Sequence, residues 1–407
     1  MMNEARTATT PGVGPDFLRL MYSQLASRLG WTMLAFVLPL QVLDQSGSVA
    51  LAGLVGTATL AAGLVTALPS GVLVDSLPRV RLLRLSYFGM AGAAVATLLL
   101  VNRWQLVLPG IACALLGSIA NNMSGPVTVA VIRETVPREE LGKAFSIEQG
   151  RSRLVSLLGA PIGGALYGWW PALPFLTCVA LQLIGLALAW RMRVRPNSGG
   201  RTALRPGHWA DGVKFLLQQR RLLFIGVLGA LANFSLYGVL YALTFGYRQQ
   251  GTSAAAISLI EVAAGVTGML AAFGSVRLLE RLPVGRIAFL SASLIAGGLC
   301  LAAFVPWLGA AVIGFALCGA GLTPWNAALF GFLAASTPQE LQGRVQTAIG
   351  MLAGLLTPLT PLLASALLTA SGIGLAAGTF AILALAAAAS QLLPLVRRIG
   401  FLRDYQS

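Results

Sequence analysis

Ionisable side chains are scarce inside the long apolar runs of this sequence, so the few that occur there are the residues able to do chemistry. Glu261 stands in Ile-Ser-Leu-Ile-Glu-Val-Ala-Ala-Gly, a stretch otherwise without charge. A carboxyl group in that setting can exchange a proton or contact a ligand, reach toward the outer polar surface, or serve as a structural hydrogen-bonding group. Arg28 lies deep in the first apolar run, where it can bind an anionic group or answer a carboxylate such as Glu148. Glu148, Arg151 and Arg153 open another run; the first two are three positions apart, share a helical face and are expected to pair, as a rim pair or as part of a gate. A charge at the centre of a membrane helix costs about 3 kcal/mol on insertion scales, so each of these residues calls for a reason.

Uncharged polar residues form a second set. Asn121 and Asn122, just before Pro126, and Trp325 and Asn326, just after Pro324, fall in two corresponding runs. Asn233, Tyr237 and Tyr241 recur at intervals of four, on one helical face. Together they describe a cavity with amide and aromatic walls suited to an amphipathic small molecule; hydrogen bonds between helices are the other use of the same groups.

Other chemistries find no support. The four cysteines (Cys113, Cys178, Cys300, Cys318) lie in apolar runs without metal-ligand spacing and are read as small buried hydrophobes. The one histidine, His208, lies in a polar stretch, so neither a metal site nor a histidine relay is expected within the membrane. An enzyme should gather histidines or paired acids at the bilayer surface, and the acid-rich loop around Glu134, Glu139 and Glu140 has a counterpart that keeps only Glu340. No Gly-rich loop ends in Gly-Lys-Ser/Thr, so no cofactor is expected and a proton gradient is the expected energy source.

The elements that must position these residues follow from hydrophobicity. Hydrophobic residues make up 57% of the 407 positions and charged residues 10%, against about 25% charged in soluble domains. Lipid is the solvent such a surface fits. Runs long enough to span occur near 17–43, 49–74, 81–101, 105–131, 144–168, 172–190, 222–246, 254–279, 286–305, 308–335, 345–370 and 373–396. This predicts an all-α integral membrane protein of about twelve helices. The net charge of +15 is not a nucleic-acid footprint, because the arginines sit in short runs between apolar stretches. With the N-terminus inside, nearly all of them fall in inner connections, leaving Arg103 and Arg248 outside. That bias places both termini in the cytoplasm and the chain, multi-pass, in the cell membrane.

The long polar stretch 192–220 divides the chain into a bundle at 16–191 and another at 221–396, flanked by a disordered tail at 1–15, without a cleavable signal, and a cytoplasmic tail at 397–407. A repeat joins the halves. Pro137-Arg-Glu-Glu-Leu-Gly142-Lys143 matches Pro338-Gln-Glu-Leu-Gln-Gly343-Arg344 at an offset of 201, and Leu77-Pro78-Arg-Val-Arg81 matches Leu282-Pro283-Val-Gly-Arg286 at an offset of 205. Parallel repeats of six spans place a path between the halves near the midplane.

Two motifs carry a family resemblance. Gly71-Val-Leu-Val-Asp75-Ser-Leu-Pro-Arg79-Val-Arg81 resembles the loop signature of the major facilitator superfamily, with Ser76 and Pro78 standing where a basic residue and a glycine are usual. The resemblance implies a two-bundle transporter with Gly71, Asp75, Arg79 and Arg81 in a cytoplasmic gate. Gly159-Ala-Pro161-Ile-Gly163-Gly164 looks like the antiporter signature of that superfamily's exporters, with the proline shifted one place. Ser27-Arg28-Leu-Gly30 and Ser46-Gly-Ser48 resemble the branch of macrolide, multidrug and siderophore exporters. That branch often has an acid after the Ser-x-x-Gly turn, where this chain has Trp31, which joins the cavity set.

The resemblance implies a proton-coupled exporter of an amphipathic drug-like or natural-product-like molecule, working as a monomer by alternating access. A siderophore or lipid transporter, importers included, and a polytopic protein that transports nothing are the alternatives. The topology is directly testable: epitope tags at the N-terminus, in the 192–220 stretch and at the C-terminus should all be reached only after the membrane is permeabilised. Finding the two termini on opposite faces contradicts the two-bundle reading.

Overall fold

The computed structural model describes residues 14–401 apart from 77, 104–105, 138–139, 193–207, 339–340 and 398; for 67–76, 102–103, 107 and 208–212 it describes the backbone alone. The N-terminal tail expected to be disordered, apart from its last two residues, and the arginines at 193–205 therefore lie outside the described residues. Helix accounts for nearly all the rest. Apolar runs in hydrocarbon must satisfy every backbone N–H and C=O internally, and the helix does this within one segment. Hydroxyls inside the helices follow the same rule, bonding back to their own turn, as Thr32 does to the Arg28 carbonyl (2.8 Å) and Ser86 to that of Leu82 (3.0 Å).

The first bundle comprises α1 (Pro15–Ser46), α2 (Val49–Ser76), α3 (Arg79–Thr97), α4 (Val107–Thr135), α5 (Leu141–Trp169) and α6 (Leu173–Trp190). A short helix, α7 (His208–Gln218), leads into α8 (Arg220–Gln249), α9 (Ala254–Arg281), α10 (Val284–Phe304), α11 (Leu308–Ser336), α12 (Gln342–Gly354), α13 (Thr360–Ser390) and α14 (Pro394–Arg397). Among the described residues ten helical stretches are long and apolar enough to cross a membrane. One of them, Gln342–Ser390, holds two passes, because α13 reverses at Gly372, whose φ of 77° suits glycine. The twelfth pass is α5, whose charged first turns and Gly-rich second half dilute its apolarity.

One boundary departs from expectation. The end of the polar stretch 192–220 is not a bare linker: α7 turns Leu216 into the core of the second bundle beside Leu222 and Ile225. Apolar residues at helical spacing, Val213 and Leu216, dock this amphipathic helix.

Among the described residues the apolar contacts between the bundles gather at one end. Two apolar clusters mix both halves: one joins Leu43, Val49 and Ala52 to residues of α8 to α13, the other joins α1 and α6 to Ala254. The remaining two clusters each draw on a single half, Phe17 to Met192 in one and Leu216 to Ile399 in the other. The molecule is thus sealed at the end opposite its termini and parted at the end that carries them. Glycines make the seal: a Cβ on Gly164 of α5 would lie 2.7 Å from the Ala254 carbonyl oxygen of α9, and one on Gly53 of α2 would lie 2.7 Å from the Pro361 carbonyl oxygen of α13. Without a hydrophobic force between helices in lipid, such close backbone approach supplies the adhesion.

Gly164→Val should wedge α5 from α9 and open the sealed end. Nitroxide labels at Ser46 and Gln250, at the ends of α1 and α8, should report a longer and broader distance distribution than in the parent protein. An unchanged distribution contradicts the role given to this contact.

Candidate functional site

A cavity of about 280 Å³ lies among α1, α2, α3 and α4, with α6 and α8 completing it. Four of the residues singled out by sequence meet there: Trp31, Asn121, Asn122 and Tyr241. Helical phase explains the grouping. Trp31, Ala35 and Leu38 fall on one face of α1, and Ala114, Ser118, Asn121 and Asn122 on one face of α4. The Trp31 indole packs where a side chain on Gly117 would otherwise stand, and the Asn122 amide fills the space beside Gly63 of α2. The Asn121 side-chain oxygen is buried without a hydrogen-bond partner. Leaving such an acceptor unsatisfied costs about 1–3 kcal/mol. Thr32, Thr59 and Ser118 also line it and were not singled out. Ser118 had a signal, being one turn from Asn122; Thr59 had none.

The second bundle contributes a distinct set. Tyr237 and Tyr241 on α8 lie within electrostatic reach of Glu261 on α9. Tyr237 is 37% exposed and, unlike Tyr241, is not among the residues that line the cavity. Glu261 is half-buried. Ala254, Glu261 and Gly265 share a face of α9, and the outer two touch α5, at Gly164 and Leu157. Glu261 therefore sits on the seam between bundles. Asn233 uses its amide on the Ala353 carbonyl of α12 (3.1 Å), joining helices within its own bundle. Trp325 corrects the sequence reading: it is 6% exposed and packs with Ala328 and Phe332 in the core of the second bundle, not in the cavity. Asn326 beside it is half-buried and likewise outside the cavity lining.

At the parted end two described ion pairs lie within the first half. Arg79 pairs with Glu134 of α4 and donates to the Ala130 carbonyl (3.2 Å); Arg81 is exposed. The Asp75 side chain lies outside what is described, and Gly71 is described as backbone within α2. Glu148 and Arg151 pair as expected, at 2.9 and 2.5 Å. Arg28 is half-buried, within electrostatic reach of both. In the antiporter-like stretch, Gly159 accommodates Thr32, Gly163 admits the Met33 backbone of α1 and Gly164 admits α9, while Pro161 lies inside the helix.

A group that sequence reasoning missed holds the sealed end. Asp44 at the end of α1 accepts two hydrogen bonds from Arg248 at the end of α8, at 2.7 and 2.5 Å. Tyr167 of α5 donates to the same carboxylate (2.6 Å), and the guanidinium lies 5.7 Å from the Tyr167 ring centroid. The signal was the spacing: 248 follows 44 by 204, between the two repeat offsets, so the pair joins equivalent positions of the two halves.

Two bundles joined at one end and parted at the other, with a cavity in the first that the second adjoins through Tyr241, define a polytopic membrane transporter. The chain belongs to the Major Facilitator Superfamily, whose sequence profile matches residues 20–361. No curated protein matches it in sequence. Solved structures share its fold: the nucleoside transporter NupG (TM-score 0.73, 13% identity, covering 93% of this chain and 98% of that one), a bacterial homologue of the human lysosomal transporter Spinster in an inward-facing, unoccupied state (0.70, 16%, 97% and 95%) and a D-xylose-proton symporter (0.69, 14%, 93% and 97%).

A partly exposed ion pair contributes about 1 kcal/mol or less, enough to bias an opening without forbidding it. Arg248→Ala should therefore raise the reactivity of a cysteine at Leu38, in a background without the native cysteines, toward an impermeant maleimide added from the sealed side. An increase of about fivefold corresponds to that energy; no change means the pair does not hold this end.

Proposed function

We propose that the protein is a proton-coupled exporter of an amphipathic, drug-like or natural-product-like small molecule. It alternates between the form seen here, open at the end that carries the termini, and its converse. With both termini cytoplasmic, the present form is the one that loads from inside the cell. The cavity supports the substrate class: apolar and aromatic walls from Trp31, Leu34, Leu38 and Tyr241, with amides and hydroxyls interspersed and no charged residue among its lining.

The observation that carries the coupling is the placement of Glu261. Among the carboxylates in spans whose side chains are described, Asp16, Asp44, Glu134 and Glu148 are ion-paired; Glu261, inside α9, stands in no ion pair, and neither does Glu280 at the end of the same helix. Glu261 occupies the face of α9 that packs on α5. An ionised carboxylate on a seam that must close is opposed by desolvation; a protonated one closes with little penalty. Protonation then favours the present, outwardly sealed form, and loss of the proton to the cytoplasm frees the seam to part. Gly159, Gly163 and Gly164 support the reading by letting α5 lie close to α1 and α9, so that the Glu261 seam is part of the same moving contact.

The test is transport in proteoliposomes and in energised cells. Efflux of a fluorescent dye should depend on the pH gradient and stop on addition of an uncoupler. Glu261→Gln should abolish gradient-driven efflux while dye-for-dye exchange across the same membrane persists. Uncoupler-sensitive efflux surviving in Glu261→Gln refutes the assignment of the proton to this residue.

A further inference from the structure

The charged group on the inner face of the first bundle carries more positive charge than it neutralises. Glu148 is engaged by Arg151 through both carboxylate oxygens. The Arg151 side chain is only 8% exposed, yet its remaining nitrogen, Nη1, is buried without a hydrogen-bond partner. Arg28 enters none of the ion pairs among the described residues. Two guanidinium groups thus share one carboxylate inside a low-dielectric bundle, where an uncompensated charge is costly until something answers it.

This group adjoins the cavity. Arg28 lies one helical turn before Trp31 and Thr32, both in the cavity wall. Its Nη2 occupies the space beside Gly125 of α4, 2.8 Å from where a Cβ would stand, and Gly125 is one turn past Asn121. The arginines therefore stand next to the cavity on the side of the parted end, and Asn121, whose side-chain oxygen is buried without a partner, is among the residues that line it. The two orphaned polar atoms are complementary in kind: a buried donor beside the charges and a buried acceptor on a lining residue.

We infer that cavity and arginines form one elongated site for an amphipathic anion. Its acid group, a carboxylate, sulfonate or phosphate, sits between Arg28 and Arg151 Nη1. Its uncharged body lies between Trp31 and Tyr241. Planar guanidinium groups suit such oxyanions, and a cationic amphiphile is repelled by the same pair. The inference names the substrate class of the proposed transport site and rests on that cavity being the site.

Equilibrium binding to the purified full chain in phosphatidylcholine nanodiscs tests it, with empty nanodiscs as the blank. The probes are 8-anilinonaphthalene-1-sulfonate and its uncharged parent N-phenyl-1-naphthylamine, which share an aromatic body and an N–H donor. The sulfonate should bind at least about tenfold more tightly, the scale of one charge-assisted bond. Arg28→Met should remove that advantage while the neutral probe still binds, which also certifies the fold; Arg28→Lys should recover part of it. Equal binding of the two probes, binding of neither, or a sulfonate affinity untouched by Arg28→Met overturns the inference.

Phosphatidylglycerol in the nanodiscs separates the sources of the anion: a lipid headgroup competes the sulfonate away, whereas a site for soluble anions keeps its affinity. Binding is read without a gradient, so its failure is distinct from a failure of proton-driven export.

Discussion

Hydrocarbon offers helices no reason to stick to one another, since lipid tails are as apolar as the side chains they would replace. Everything in this fold follows from how the chain supplies that missing adhesion. Within each bundle, glycines let backbones approach and a few hydrogen bonds cross between helices, such as Ser27 to Gln182 (2.7 Å) and Thr267 to the Ala316 carbonyl (2.7 Å). Between bundles the same devices are concentrated at one end, where Gly53 and Gly164 admit backbone carbonyls from the other half. Adhesion is thereby concentrated at one end of the described structure.

The seam is also where the polar residues of interest gather. Glu261 lies on it, Tyr237 and Tyr241 stand beside it, and the Leu362 backbone N–H reaches the Thr57 hydroxyl across it (3.2 Å). A transporter that must part and rejoin two surfaces needs contacts that are individually weak. Interhelical hydrogen bonds in membranes average about 0.6 kcal/mol, small enough to exchange partners and numerous enough to define two end states.

Much of the architecture was legible because bilayer thickness dictates run length: every described span lies within a few residues of an apolar run, and the turn at Gly372 falls between the last two. Half of the cavity set was legible too, since Trp31, Asn121, Asn122 and Tyr241 are large or polar where neither is expected. The rest was hidden for physical reasons. Thr59 spends its hydroxyl on its own helix, bonding the Val55 carbonyl, so residue type gives no hint of direction. Trp325 shares its neighbourhood with a proline, as the asparagines do, but its phase matches Ala328 and Phe332 and turns it inward. Asp44 and Arg248 stand at span ends, where a charge ordinarily marks only the membrane boundary.

That last pair has a bearing on how the halves recognise each other. Its members occupy equivalent places in the two repeats, so they meet near the axis that relates them. Two copies of the first half would bring carboxylate against carboxylate there, and two copies of the second would bring guanidinium against guanidinium. Only unlike halves can close. A molecule laid out as a symmetric pair thus carries, at the point where symmetry is strictest, the one bond that identical partners are unable to make.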